Sequence, residues 1–212
     1  MLNTYARDVV TRIMSPLARW LLAHGVTPDA VTCVGTVGVM AAALILYPLG
    51  YLFAGTMVIT VFVLADLLDG TMARLPQWRE RSGSHAAARQ WGSFLDSSLD
   101  RLADGAIFGG IALWYFTTGQ APATGAAAVA CLFLGSVVSY VRAKAESLGY
   151  DANVGIAERA ERLVVALTVV GLDGLGLPPV IVLVALTALA AASAVTIVQR
   201  GLRVRQQVRE AL

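Results

Sequence analysis

The chain has 212 residues, 57% of them hydrophobic and only 14% charged, with a mean hydropathy of +0.69. Soluble domains carry about 25% charged residues, and so short a chain has too little interior to hide this much apolar surface, so an ordinary water-soluble fold is excluded and lipid is the expected solvent. The formal net charge of +2 is uninformative by its size; the placement of the charges is what carries information.

In chain order, residues 3–24 come first. Leu2, Tyr5, Val9, Ile13, Leu17 and Trp20 recur at helical spacing, with Arg7, Arg12 and Arg19 elsewhere on the wheel. This predicts an N-terminal amphipathic helix on the membrane surface, a reading compatible with packing against the rest of the chain. The same arginines interrupt any signal-peptide core. Thr27, Pro28 and Asp29 then break the chain, with Pro28 at an expected helix start. Six apolar spans follow, each near the roughly 20 residues a bilayer requires: 30–48, 51–73, 93–116, 123–145, 160–176 and 179–199. Turn signals at Pro48 and Gly50, at Gln120 to Pro122 and at Gly176 to Pro179 separate them. The expectation is an all-α integral membrane protein, one membrane domain over 1–212. Cys33 and Cys131 lie in apolar runs without a CxxC neighbour and read as buried small residues.

All 16 Lys and Arg residues fall in the N-terminal segment, in or beside the connections that join spans two to three and four to five (Arg101, Arg142, Lys144 and Arg162 just inside the adjoining span ends), or after span six. The connections near 48–51, 117–123 and 171–179 contain none. The positive-inside rule then puts both termini and the basic connections in the cytoplasm, which an even number of spans permits.

Acidic residues sit where lipid disfavours them. Asp66 and Asp69 lie near the cytoplasmic end of span two, and Asp96 and Asp100 near the start of span three. Charges inside membrane segments are costly and mark functional sites by default. Spacings of three and four place each pair on one helix face, and consecutive antiparallel spans allow the two faces to meet. Like carboxylates at ~4 Å repel by about 4 kcal/mol per pair at an effective dielectric of 20, so cations or protons are expected among them. An all-carboxylate donor set suits Mg²⁺ or Mn²⁺, and two such ions clamp a phosphoryl group. Helix capping is the bland reading for one or two of these aspartates, but it does not explain all four. Gly70 lets a substrate approach the helix, and Arg74, one turn on, is placed to meet a phosphate. A packing glycine and an interfacial anchor are their ordinary alternatives.

Asp66, Asp69, Gly70, Ala73 and Arg74, followed by Gly92, Asp96 and Asp100, resemble the signature D-x2-D-G-x2-A-R … G-x3-D-x3-D of the CDP-alcohol phosphatidyltransferase family. The family's spacer of eight residues is replaced here by seventeen, residues 75–91, expected to be an extended cytoplasmic loop. Gly83 sits at the usual distance, but the aspartates it requires would fall at Ala87 and Trp91, so Gly92 sets the register. The resemblance implies six transmembrane helices behind an N-terminal surface helix. It implies that Asp66, Asp69, Asp96 and Asp100 hold two Mg²⁺ ions on the diphosphate of CDP-diacylglycerol, with Asp100 also taking the proton from the incoming alcohol. Asp29, Ala30, Val31, Thr32, Gly70, Ala73 and Arg74 would line the nucleotide pocket. Asp104, one turn beyond Asp100 and outside the motif, reads as a supporting or helix-pairing residue.

Arg142, Arg159, Arg162 and Arg200 lie at the basic ends of spans four, five and six. Snorkelling is their ordinary explanation, and it is our reading for Arg203, Arg205 and Arg209. Converging arginines suit a phosphorylated acceptor, because guanidinium pairs with phosphate bidentately. That alone does not separate inositol phosphate from glycerol 3-phosphate. The stretches Ser139 to Glu146, Glu158 to Leu163 and Val198 to Arg200 resemble one subgroup, the bacterial phosphatidylinositol phosphate synthases. That likeness implies inositol 1-phosphate as acceptor, bound through Ser139, Arg142, Arg159, Arg162 and Arg200, and a homodimer. A transporter with an acidic intramembrane site is the distant alternative. It predicts a midplane site and often an internal repeat, whereas no repeat is found and Asp66, 15 residues into its span, lies toward the cytoplasmic surface.

Overall fold

A computed structural model describes residues 14–76, 78 and 85–211, without the side chains of 65–67, 85, 86, 88 and 89. The described elements are all helical. Residues 14–23 form α1, followed by α2 (Pro28–Leu46), α3 (Leu52–Arg74), α4 (His85–Phe116), α5 (Pro122–Ser147), α6 (Arg159–Asp173) and α7 (Pro179–Glu210). Among the described residues α2, α3, α5 and α7 are long and apolar enough to cross a membrane. The chain is therefore an all-α membrane protein. The α4 helix is long, but the site charges Asp96, Asp100, Arg101 and Asp104 interrupt its apolar run. The α6 helix has only 15 residues, about 22 Å at 1.5 Å per residue.

Helix starts follow local chemistry. Thr27 caps α2, its hydroxyl accepting the Ala30 N–H at 3.2 Å, and Pro28 occupies the first helical position. Pro122 and Pro179 open α5 and α7 in the same way. The expected loop 75–91 is shorter at its far end, because helix resumes at His85. Ala86, Ala87 and Ala88 are strong helix formers that carry the helix upstream of the apolar boundary at 93. Residues 79–84 lie outside the described residues, as do Leu2, Tyr5, Arg7, Val9, Arg12 and Ile13 of the expected surface helix. Cys131 is buried, its thiol 3.1 Å from the Leu186 carbonyl, but Cys33 is exposed, contrary to its sequence reading. It lies on the outward face of α2, beside exposed Val34 and Val37.

The chain divides into two compact units. The first comprises Met1–Ala42 and Val58–Ala103. Its core joins Ala18 and Leu22 of α1 to Met72 of α3, bordered by Leu21, Val26, Val31, Leu75 and Trp78. Leu17 and Trp20 remain exposed on the other side of α1, at 45% and 56%. The second unit comprises Ala43–Met57 and Asp104–Leu212. Here α7 packs on α5 and α6. Gly110 of α4 meets the backbone of Ala43 so closely that a Cβ would lie 2.3 Å from its carbonyl oxygen. Two buried tyrosines are paired: Tyr47 with Thr56 at 3.0 Å, and Tyr115 donating to Asp173 at 2.7 Å.

Candidate active site

All four motif aspartates belong to the first unit, Asp66 and Asp69 on α3, Asp96 and Asp100 on α4. The Asp69 carboxylate accepts the Thr32 hydroxyl of α2, which also lies 3.1 Å from the Pro28 carbonyl. Asp100 is partly buried, 3.9 Å from the guanidinium of Arg101, and Asp96 is exposed. The side chain of Asp66 lies outside the described residues. Among the described residues no three His, Cys, Asp or Glu side chains are grouped closely enough to hold a metal ion. The chemistry of the donor set, oxygen only, fits a hard divalent cation.

Of the expected nucleotide residues, Ala30, Ala73 and Arg74 are exposed and Asp29 is partly buried. Val31 borders the apolar core, and Thr32 is buried against Asp69. Gly70 is informative by contrast with Gly38 and Gly110. A Cβ at Gly38 would lie 2.5 Å from the Phe62 ring, which would have to shift; a Cβ at Gly70 would meet nothing within 4 Å, and the same holds at Gly92. The fold itself does not require either motif glycine.

Sequence reasoning missed Trp91, which it assigned to a loop. On α4 its indole N–H donates to the Asp29 carboxylate at 2.9 Å, and its ring lies 5.9 Å from that of Phe94. A bond between residues 62 apart leaves no local trace in a sequence.

The basic residues proposed for the acceptor lie in the second unit. Asp104, 5% exposed, receives Arg159 Nε at 3.1 Å on one carboxylate oxygen, and Arg162 Nη2 lies 3.7 Å from the other. Burying one charge without another is prohibitive, so this buried carboxylate and the 1%-exposed Arg162 depend on each other. Gly135 provides the space, since a Cβ there would lie 2.9 Å from Arg162 Nε. Arg200 is also buried. It donates to the carbonyls of Val138 at 2.7 Å and Val154 at 2.9 Å, and its third nitrogen is 3.5 Å from Glu158. Arg142 pairs with Glu146 at 2.9 Å and is partly exposed; Ser139 donates to the Gly135 carbonyl at 3.2 Å. The helix-pairing role read for Asp104 thus has specific partners. The spacing from Asp100 was the available signal.

Residues 25–198 match the family description CDP-alcohol phosphatidyltransferase, and the chain belongs to that family. It is similar to the phosphatidylinositol phosphate synthase of Streptomyces avermitilis, 48% identical with all of this chain and 85% of that one covered. It is likewise similar to that of Cutibacterium acnes, 46% identical with 92% and 93% covered. Crystal structures of the Mycobacterium tuberculosis phosphatidylinositol phosphate synthase superpose well. The form with CDP-DAG bound has a TM-score of 0.81 at 41% identity, covering 91% of this chain and 94% of that one. The complex with manganese and citrate has a TM-score of 0.80 at 40% identity, covering 90% and 88%. The chain is accordingly an enzyme of phospholipid synthesis.

Proposed function

We propose that this enzyme transfers the phosphatidyl group of CDP-diacylglycerol to inositol 1-phosphate (1D-myo-inositol 3-phosphate), giving phosphatidylinositol phosphate and CMP. The observation that carries this is the 48% identity, over the whole chain, to a phosphatidylinositol phosphate synthase. In this reading Asp66, Asp69, Asp96 and Asp100 hold two Mg²⁺ ions, with Mn²⁺ an alternative. When bound, the metal supplies positive charge that stabilises the diphosphate and the departing CMP.

The chain's own residues do the rest. Asp100 takes the proton from the acceptor hydroxyl, the freed oxygen bonds to the lipid-side phosphorus, and the bond from that phosphorus to CMP breaks. Thr32 holds the Asp69 carboxylate in one orientation, a role the hydrogen bond supports. Asp29, Ala30, Val31, Thr32, Gly70, Ala73 and Arg74 line the nucleotide pocket. Ser139, Arg142, Arg159, Arg162 and Arg200 form the acceptor side, where guanidinium groups bind the inositol phosphate. The proposed arrangement has six membrane helices, α4 and α6 completing the set, behind an N-terminal surface helix. Both termini and the active site face the cytoplasm of a multi-pass cell-membrane protein that works as a homodimer.

The test is CMP release by the purified protein in lipid, given CDP-diacylglycerol, Mg²⁺ and one acceptor at a time, with Asp100→Asn as control. Turnover with inositol 1-phosphate that vanishes in the control supports the reading. Turnover with glycerol 3-phosphate instead overturns the acceptor while keeping the aspartate chemistry.

A further inference from the structure

Residues 148–158, between α5 and α6, form neither helix nor strand, yet α7 holds them at three points. Gln207 bridges the Asp151 backbone in both directions: the Asp151 N–H donates to Oε1 at 2.9 Å, and Nε2 donates to the Asp151 carbonyl at 2.6 Å. Arg200 takes the Val154 carbonyl. Thr196 Oγ1 accepts the N–H groups of Ile156 at 3.2 Å and Ala157 at 3.1 Å, and donates to the Ala192 carbonyl at 2.9 Å. Spacings of four and seven put Thr196, Arg200 and Gln207 in one stripe along the helix.

We infer that Thr196 is a positioning residue for the arginines of the acceptor side, acting through Ala157. Thr196 is fully buried, and its hydroxyl is occupied both as acceptor and as donor. The Ala157 peptide that it fixes by the N–H takes Arg162 Nη1 on its carbonyl at 3.1 Å. Arg162 in turn shares Asp104 with Arg159. A continuous relay therefore runs from Thr196 through Ala157 and Arg162 to Asp104 and Arg159. Its neighbours leave it little slack. Gly135 closes on the Arg162 guanidinium from α5. Gly155, at φ +146°, brings its backbone so near the Thr196 methyl that a Cβ would lie 2.3 Å from it. The hydroxyl is the part of Thr196 that matters here, since an isosteric valine leaves two backbone N–H groups without their acceptor.

The inference rests on the reading that Arg159 and Arg162 hold the acceptor's phosphate, and the experiment separates the two. With the full-length protein in lipid, the KM for inositol 1-phosphate and the KM for CDP-diacylglycerol are measured separately for Thr196→Val, Thr196→Ser, Gln207→Leu and Arg162→Lys. Thr196→Val should raise the acceptor KM about tenfold and leave the CDP-diacylglycerol KM within about twofold. Thr196→Ser, which keeps the hydroxyl, should restore both. Gln207→Leu, at the exposed end of the stripe, should act in the same direction by about threefold, and it decides the matter if Thr196→Val does not fold. An Arg162→Lys variant with an unchanged acceptor KM removes the phosphate assignment and the inference with it. A raised KM in Arg162→Lys beside an unchanged one in Thr196→Val, or equal effects on both substrates, or a serine variant as impaired as the valine, overturns the relay alone.

Discussion

Gly70 and Gly110 are chemically the same residue in two helices, but they answer to different constraints. At Gly110 the constraint is internal, because a Cβ would lie 2.3 Å from the Ala43 carbonyl oxygen and backbone cannot swing aside. Gly110→Ala should therefore lower stability by about 1–3 kcal/mol, the usual penalty for overpacking. At Gly70 nothing lies within 4 Å of the added carbon. Gly70→Ala should raise helix stability by about 0.5–1 kcal/mol while depressing turnover, because in the proposed site the methyl would occupy the surface that the nucleotide takes. Thermal unfolding with and without CDP-diacylglycerol, beside CMP release, checks both. A Gly70→Ala enzyme with full activity would return that glycine to the status of a neutral surface position. Thr32 belongs to the same scale. Its hydroxyl fixes Asp69, so Thr32→Val should cut turnover about tenfold and Thr32→Ser should largely preserve it, the loss being that of one hydrogen bond to a charged group.

At the scale of elements, α1 illustrates how one helix serves two apolar surfaces. Ala18 and Leu22 face Met72, while Leu17 and Trp20 face outward. Ala18→Asp should destabilise the first unit by placing an unpaired charge in its core, whereas Trp20→Ala should leave unfolding unchanged and weaken contact with lipid. Trp20 emission, with the other tryptophans replaced by phenylalanine, should be quenched by brominated lipid; insensitivity to it would remove α1 from the membrane surface. The membrane class, the placement of Asp66 and Asp69 on one helix and of Asp96 and Asp100 on the next, and the helix start at Pro28 were legible in the sequence. Each of these depends on neighbours within a few residues: apolar run length, a spacing of three or four, a capping threonine. The beginning of α4 was not legible, because the criterion was apolarity and the alanine run precedes the apolar residues. Nor were the partners of Asp104, Arg200 and Trp91. Arg200 looks the same in sequence whether its guanidinium meets a phosphate or the Val138 carbonyl, and only the fold supplies the latter.

For the whole molecule, the orientation proposed for the membrane rests on charge placement, and α5 offers a clean test of it. At 26 residues it is about 39 Å long, enough to cross a hydrocarbon core of roughly 30 Å. The connection before it, residues 117–121, carries no basic residue, whereas Arg142 and Lys144 stand in its last turns. In the proposed orientation the positive-inside rule would send its C-terminal end to the cytoplasm, the side on which soluble inositol phosphate and CMP would be exchanged. Thr118 and Ser147 are exposed just beyond and at its two ends. In a background with Cys33→Ser and Cys131→Ser, Thr118→Cys should react with a membrane-impermeant maleimide in intact cells, and Ser147→Cys only after the membrane is opened. Labelling of both in intact cells would remove α5 as a crossing helix. The reverse pattern would turn the molecule over and place its basic connections, with the aspartates beside them, on the side where the positive-inside rule does not allow them.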